Sequence, residues 1–361
     1  MKIGILTFHR AYNYGAVLQC YALMHYLMEL GHEVYVIDYR QPWTESLRKA
    51  ISVGKIRQLF KHPKALLTYL CSYRKRGKCL KHSEMIFNHF VDKHLKTKDT
   101  CHGIVDFPQN YDTYVIGSDQ LWGKSCLGGK FDNIYMGDFP HSEKSLLIGY
   151  AISSTPQSIS MMGDKQIQKV ARRFSALSFR EYNIAKHISG ICNYSYPDCV
   201  DPTLLCNSFI WNDLINDNWK DKNYILIYEA RDAVKYPHLL HTKAKEMIAL
   251  THKDYEVIDM SGMVYDVSDF VSAFKYAQCI ITTSFHATVF SILFNRPFYT
   301  IRLGDGADGR YVNLLNQLNL SQQCVEPDFT PVLPSINYSN MQNLLSQYRK
   351  PSIDFINNAL S

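Results

Sequence analysis

Three short stretches place residues able to move protons or hold anions directly after apolar runs. In Thr282-Thr283-Ser284-Phe285-His286-Ala287-Thr288, the run Cys279–Thr282 ends and an imidazole follows. Histidine changes charge near neutral pH, and at a helix N-terminus it tends to stay neutral while the helix end attracts an anion. His286 is therefore an acid/base candidate. Ser284 beside it fits an anion contact, and it equally fits a helix cap with no chemistry at all. In Val115–Trp122 (VIGSDQLW) a strand-like run ends in Gly117 and then offers Ser118, Asp119, Gln120 and Trp122. Glycine lets a ligand approach the backbone, a carboxylate exchanges protons, and an indole stacks on a sugar face. The plainer alternative makes Asp119 a helix cap and Trp122 part of the core. The third stretch, Asn13-Tyr14-Gly15-Ala16, sits where a first strand passes into a first helix, a place that presents backbone N–H groups to an anion or a sugar.

Isolated arginines add anion chemistry. Arg180, Arg302 and Arg310 lie near the ends of predicted elements, and a guanidinium fork binds carboxylate or phosphate through two donors. For any one of them a surface salt bridge is the default. The glycine-rich loop Gly304–Gly309 lies between the last two and is suited to folding over a ligand. There is no H-E-x-x-H, P-loop, G-x-S-x-G or EF-hand pattern, and Asn13–Ala16 is not a G-x-G-x-x-G fingerprint. Zincin-type hydrolysis, P-loop ATP hydrolysis and acyl-serine chemistry therefore lose support.

These residues need elements to position them. Lys2–Thr7, Gly15–Leu30 and Glu33–Tyr39 read as strand, helix, strand, with Gly31 as the helix stop. Further strands are predicted at Thr113–Gly117, Ser145–Ile152 and Ala176–Phe179, with a helix over Lys165–Phe174. After a break at Pro197–Asn207 a second series follows. Its strands fall at Tyr224–Tyr228, Tyr255–Ile258, Cys279–Thr282 and Phe298–Ile301, and its helices at Tyr236–Leu250, Ser268–Tyr276, His286–Phe294 and Tyr311–Leu318. Alternating strands and helices imply parallel sheets in two α/β domains, whose ligands bind at the carboxyl ends of the strands. The expected domains are 1–200, with a basic helical insertion at 46–98, and 201–338. A helix over 339–361 is expected to pack back on the first domain.

The 361 residues carry a net charge of +6 and 46% hydrophobic residues, a soluble globular composition. No apolar run is long enough to span a bilayer, and MKIGILTFHR reads as a strand, not a signal peptide. The ten cysteines contain no C-x-x-C pair, which fits reduced thiols in the cytoplasm. The charge is uneven: residues 46–98 carry +12 and the rest −6. Apolar Leu59, Phe60, Leu66, Leu67, Leu70, Ile86, Phe87 and Phe90 give that segment a helical spacing. It is either a solvated face or a surface for anionic headgroups or phosphorylated ligands. Nucleic acid is not expected, since no recognition motif accompanies the charge.

The chain resembles the polysaccharide pyruvyl transferase family. The resemblance rests on Asn13–Ala16 with Leu18-Gln19 and Tyr21-Ala22-Leu23, on Val115–Trp122, and on Arg180-Glu181. It also rests on Asp201-Pro202-Thr203-Leu204-Leu205 and Ser284–Ser291 (SFHATVFS), in the family's order. Ala287 stands where the family often has Gly, and Ala151–Ser154 only approximates the family's segment; neither departure removes a reactive group. The resemblance implies an α/β fold of two Rossmann-like domains facing a cleft (GT-B-like). It implies transfer of the pyruvyl group of phosphoenolpyruvate to a sugar as a cyclic ketal, with phosphate released. On that basis His286 and Asp119 are the expected acid/base pair. Arg180, Arg310, Arg302 and Ser284 are expected on the donor, and Asn13, Tyr14, Gly15, Ser118, Gln120 and Trp122 on the acceptor. Phosphoenolpyruvate is a co-substrate, and no cofactor or metal is expected. The acceptor is a saccharide, in one version linked to a lipid diphosphate, which with the basic segment suggests the inner face of the plasma membrane. The competing classes are a GT-B glycosyltransferase using a nucleotide-sugar and a non-enzymatic membrane-surface binding protein.

Overall fold

The computed structural model describes residues 1–47, 60, 63, 66, 73–230, 236, 238–262, 264–304 and 308–361. The chain divides into two compact units. Unit 1 comprises residues 1–202 with 355–361, and unit 2 comprises 203–354.

Unit 1 is built on a parallel sheet of β1 (Lys2–Leu6), β2 (Glu33–Tyr39), β3 (Thr97–Cys101), β4 (Thr113–Ile116), β5 (Leu146–Ile152) and β6 (Ala176–Phe179). The strand order is β3-β2-β1-β4-β5-β6, which reverses direction between β1 and β4. A parallel sheet is covered on both faces, so its central strands are continuous apolar runs; β1 (KIGIL) and β4 (TYVI) show this. Helix α1 (Tyr14–Glu29) returns the chain from β1 to β2. It is capped by Asn13 and ends just before Gly31, whose φ of +84° is a left-handed turn suited to glycine.

The basic stretch 46–98 falls between β2 and β3, a connection whose described helices are α2 (Pro42–Leu47) and α3 (Tyr73–His94). The apolar spacing at Ile86, Phe87 and Phe90 is the buried face of α3. Its rings meet α1, with Phe87 at 5.3 Å from Tyr14 and Phe90 at 6.0 Å from Tyr21. Leu59, Leu67 and Leu70 lie outside the described residues. Strand β3 (TKDTC) was not anticipated, because an edge strand half open to water is mostly polar. Three further helices, α4 (Pro156–Met162), α5 (Asp164–Ala171) and α6 (Tyr182–Cys192), complete the unit.

Unit 2 follows α7 (Pro202–Leu205). Its parallel sheet holds β7 (Tyr224–Tyr228), β8 (Glu256–Asp259), β9 (Cys279–Thr282), β10 (Phe298–Ile301) and the short β11 (Cys324–Val325), in the order β11-β10-β9-β7-β8. Direction reverses here between β7 and β9. The helices are α8 (Leu239–Thr251), α9 (Val267–Tyr276), α10 (Phe285–Leu293), α11 (Gly309–Gln317) and α12 (Tyr338–Leu360). Phe270, Phe274 and Phe290 pack ring to ring between α9 and α10. Arg349 of α12 donates to the Leu204 carbonyl near the end of α7, where a cation offsets the negative helix end. Pro351 lies inside α12, and the helix continues past it. Its last residues belong to unit 1, where Ile356 is buried and Phe355 lies 6.3 Å from Tyr150.

Among the described residues no helix is long and apolar enough to cross a membrane. Both units are doubly wound α/β layers. Their strand orders, a six-stranded arrangement and a five-stranded one, are those of Rossmann-like folds.

Candidate active site

In open parallel sheets, ligands bind beyond the carboxyl ends of the strands where the winding reverses. Each unit has one such point, and sequence-predicted residues fall at both. In unit 1, Leu6 of β1 pairs with Ile116 of β4, so the β1–α1 loop and the loop after β4 lie side by side. Gly117 has φ +135°, and a Cβ there would sit 2.0 Å from the Tyr150 carbonyl oxygen, so only glycine fits. Asp119 follows with φ +63°. Its Oδ1 accepts from the Gln120 amide at 2.8 Å, while Oδ2 makes no hydrogen bond among the described residues, and the residue is half-buried. That leaves one carboxylate oxygen available for proton exchange.

The neighbours of Asp119 are more structural than expected. Ser118 is buried, and its hydroxyl donates to the Ala151 carbonyl at 3.0 Å. The Gln120 side-chain oxygen accepts from Cys126 Sγ at 3.0 Å. Trp122 is 0% exposed, with its indole N–H bound to the Tyr135 carbonyl at 3.1 Å and its ring against Phe179 and Phe174. An indole so enclosed has no face for a sugar, which corrects the expected stacking role. Tyr14 is likewise packed against Phe87 instead of lining the surface. Gly15 is buried in the first turn of α1, while Asn13 is exposed and accepts from the Ala16 amide at 3.1 Å. Of the three, Asn13 alone lies at the surface.

Arg180 is also corrected. It lies in unit 1 as a buried brace and not as an open fork. Nη1 donates to Asp201 at 2.7 Å, Nη2 to Ser153 Oγ at 2.9 Å, and Nε to Glu181 at 3.4 Å. Burial alone would lower the guanidinium pKa; the charges of Glu181, Asp201 and Asp119 outweigh it and hold it raised. Ser153 in turn donates its amide to the Asp119 carbonyl at 3.0 Å, which links the brace to the loop that carries Asp119.

A cluster at the same edge of the sheet escaped the sequence analysis. Asp38, near the end of β2, accepts from His9 Nε2 at 2.9 Å, Arg10 Nε at 2.6 Å, Arg40 Nη2 at 2.9 Å and Thr100 at 2.9 Å. Burial would raise its pKa, but the hydrogen bonds and charges of His9 and Arg10 outweigh that and hold the carboxyl well below the usual carboxylate range. The available signal was a lone acid at the end of an otherwise apolar strand, with an arginine two residues on.

In unit 2, Thr282 of β9 pairs with Tyr228 of β7, and its hydroxyl donates to the Tyr228 carbonyl at 2.5 Å. The Ser284 amide donates to Thr282 Oγ1 at 3.0 Å, and Ser284 Oγ accepts from the Ala287 amide at 3.4 Å, capping α10. Ser284 thus has a complete structural role. His286 follows in the first turn, half-buried, where the positive end of the helix favours an anion. The ring of Phe285 meets the His286 ring edge-on at 5.2 Å, and the Arg310 guanidinium lies over the same Phe285 at 6.0 Å. Asp308 anchors the segment before Arg310 by accepting from the Leu303 and Gly304 amides at 3.2 and 2.8 Å and from the Tyr311 hydroxyl. His286 and Arg310 therefore border one aromatic ring at the reversal point. Arg302 instead forms an exposed pair with Glu326 at 2.9 Å, the surface placement that was its default. Residues 305–307 of the glycine-rich loop lie outside the described residues. No group of His, Cys, Asp or Glu suited to a metal ion occurs among the described residues.

Two doubly wound units, one with Asp119 and the other with His286 beyond its reversal point, define a two-unit α/β protein of Rossmann-like folds. The sequence model for polysaccharide pyruvyl transferase matches residues 13–305, and the chain belongs to that family. Among curated protein sequences none matches. Of solved structures, the chain is similar to the S. aureus MnaA–UDP co-structure, with 12% identity, TM-score 0.47, and coverage of 98% of this chain and 90% of the other. The UDP-GlcNAc 2-epimerase from Methanocaldococcus jannaschii gives 11%, TM-score 0.46, and coverage of 97% and 93%. The E. coli ADP-heptose lps heptosyltransferase II gives 10%, TM-score 0.39, and coverage of 96% and 99%.

Proposed function

We propose that this transferase moves the pyruvyl group of phosphoenolpyruvate onto two hydroxyls of a sugar, in a polysaccharide or its lipid-linked precursor, as a cyclic ketal. Two C–O bonds form at the enol carbon and its bond to the phosphate oxygen breaks. Of the two hydroxyl protons lost, one ends on the methylene carbon, making it a methyl, and the other leaves with phosphate. The reaction thus needs a proton carrier near the enol, a second to take a hydroxyl proton, and cationic groups for the phosphate and carboxylate.

The observation that carries this reading is His286 in the first turn of α10, next to Phe285, with Arg310 over the same ring. It supports an anion held beside a proton carrier at a helix N-terminus. Asp119, with Oδ2 open, is the second proton carrier in this proposal. Asn13 supports the acceptor side from the exposed start of α1. Arg180 acts through its charge on the Asp119 loop and not as a direct clamp. The basic segment, with its side chains at 74–76 outside the described residues, supports an acceptor carried on a diphosphate lipid at the cytoplasmic membrane face.

The test incubates the protein with phosphoenolpyruvate and a panel of free and lipid-linked glycosides, read by mass spectrometry and phosphate release. A pyruvyl ketal mass gain with stoichiometric phosphate is expected. Transfer from a nucleotide-sugar with nucleotide released would replace this reading with glycosyl transfer. A melting temperature indifferent to phosphoenolpyruvate, with no product, would favour a binding protein, since a ligand specific to the native state must raise it.

A further inference from the structure

Gln19 lies in the second turn of α1 and is 0% exposed. A buried carboxamide is unfavourable unless its donors and acceptor are matched, and an apolar side chain of the same size would fill the space without that demand. Here every group is matched. Nε2 donates to Thr7 Oγ1 and to the Ala16 carbonyl, both at 2.9 Å, and Oε1 accepts from the Ser118 amide at 3.2 Å. The Thr7 hydroxyl, having accepted from Gln19, donates onward to the Ser118 carbonyl at 3.4 Å. Both backbone groups of Ser118 are thus held from the β1–α1 side, while its hydroxyl is held from β5 by the Ala151 carbonyl at 3.0 Å.

Asp119 comes next in the chain. Its left-handed backbone, φ +63°, is one that aspartate tolerates better than most side chains, helped here by the bond from the Gln120 amide to Oδ1. Its carbonyl accepts from the Leu121 and Ser153 amides at 2.8 and 3.0 Å, and on its N-terminal side the Ser118 amide is held by Gln19 and the Ser118 carbonyl by Thr7. We infer that Gln19, working with Thr7, is a positioning residue for Asp119: it fixes the Ser118 peptide and so sets the direction of the Asp119 carboxylate. This rests on the proposed proton-transfer role of Asp119. Gln19 itself is buried and touches no substrate.

The experiment compares wild type with Gln19→Met, Thr7→Val and Thr7→Ser, since the Thr7 pair separates hydrogen bonding from packing even where the Gln19 change harms the fold. Thr7→Val keeps the volume and removes the hydroxyl; Thr7→Ser does the reverse. Gln19→Met and Thr7→Val are expected to lower kcat about tenfold or more, with KM for phosphoenolpyruvate within about twofold of wild type. Amide exchange should quicken across residues 117–121, and Thr7→Ser should stay near wild type in both readouts. The opposite order, Thr7→Val unimpaired and Thr7→Ser impaired, would assign the site to packing and overturn the inference. So would a Gln19→Met protein with wild-type kcat and exchange. Should wild type fail to turn over phosphoenolpyruvate, the proposed function falls, while the exchange comparison still decides whether Gln19 holds the turn.

Discussion

Removing the His286 imidazole leaves the Ser284 cap and the α10 helix untouched, because the cap bond runs from Ser284 Oγ to the Ala287 amide. His286→Ala is therefore expected to keep its melting temperature and to lose about 10²–10⁴-fold in kcat for pyruvyl transfer, the usual size of a proton-transfer contribution. Asp119→Asn keeps the shape and the Oδ1 contact with the Gln120 amide and should fall by a similar factor. Near-normal turnover in either variant would remove that residue from the mechanism. Asp38 makes a different prediction. Its carboxyl titrates below the unfolded value of about 4, so its contribution to stability is complete above that pH and is lost as pH falls toward the folded pKa. Asp38→Asn leaves the arginines without their counter-charge and should cost about 3 kcal/mol at neutral pH. Urea unfolding curves of wild type and variant should converge as pH is lowered. A gap that stays constant with pH would show that the carboxylate charge is not what stabilises this corner.

At the level of elements, the loop after β4 depends on Gly117. A methyl group there would stand 2.0 Å from the Tyr150 carbonyl and force β5 away from the turn that carries Asp119. Gly117→Ala is expected to destabilise unit 1 by about 3 kcal/mol, combining overpacking with a disfavoured φ, and to abolish transfer. Unaltered denaturant midpoint and turnover would show that β5 yields easily. Much of the element pattern was visible in the sequence. Tyr224–Tyr228, Cys279–Thr282 and Phe298–Ile301 lie where their apolar runs put them, because strands buried on both faces are apolar throughout, and Glu33–Tyr39 lies where its alternation and β-branched residues put it. Strand β3 was hidden by its polar edge position, and β11 by having only two residues. The helix expected over 339–361 is α12, which runs through Pro351.

For the whole molecule, the +12 carried by residues 46–98 is the largest charge asymmetry in the chain. Reversing Arg74, Lys75, Arg76 and Lys78 should weaken binding to anionic vesicles by about 1 kcal/mol per residue near the surface, and spare turnover on short soluble acceptors. Vesicle binding unchanged by the reversal would make the segment a solvated face. The family and the fold were legible before any coordinates, because motif order and periodicity are properties of local sequence. So was the identity of His286 and Asp119 as candidates, each placed by the end of an apolar run. Which polar groups remain available was not legible. Arg180 meets Asp201 across 21 residues, and Gln19 meets Ser118 across 99. Such pairings arise when strands distant in the chain become neighbours in the sheet, and they take up the donors of Arg180 and Ser118. Trp122 shows the same limit for an apolar group: its neighbours Phe174 and Phe179 arrive on another segment, and their packing turned an apparent sugar platform into core.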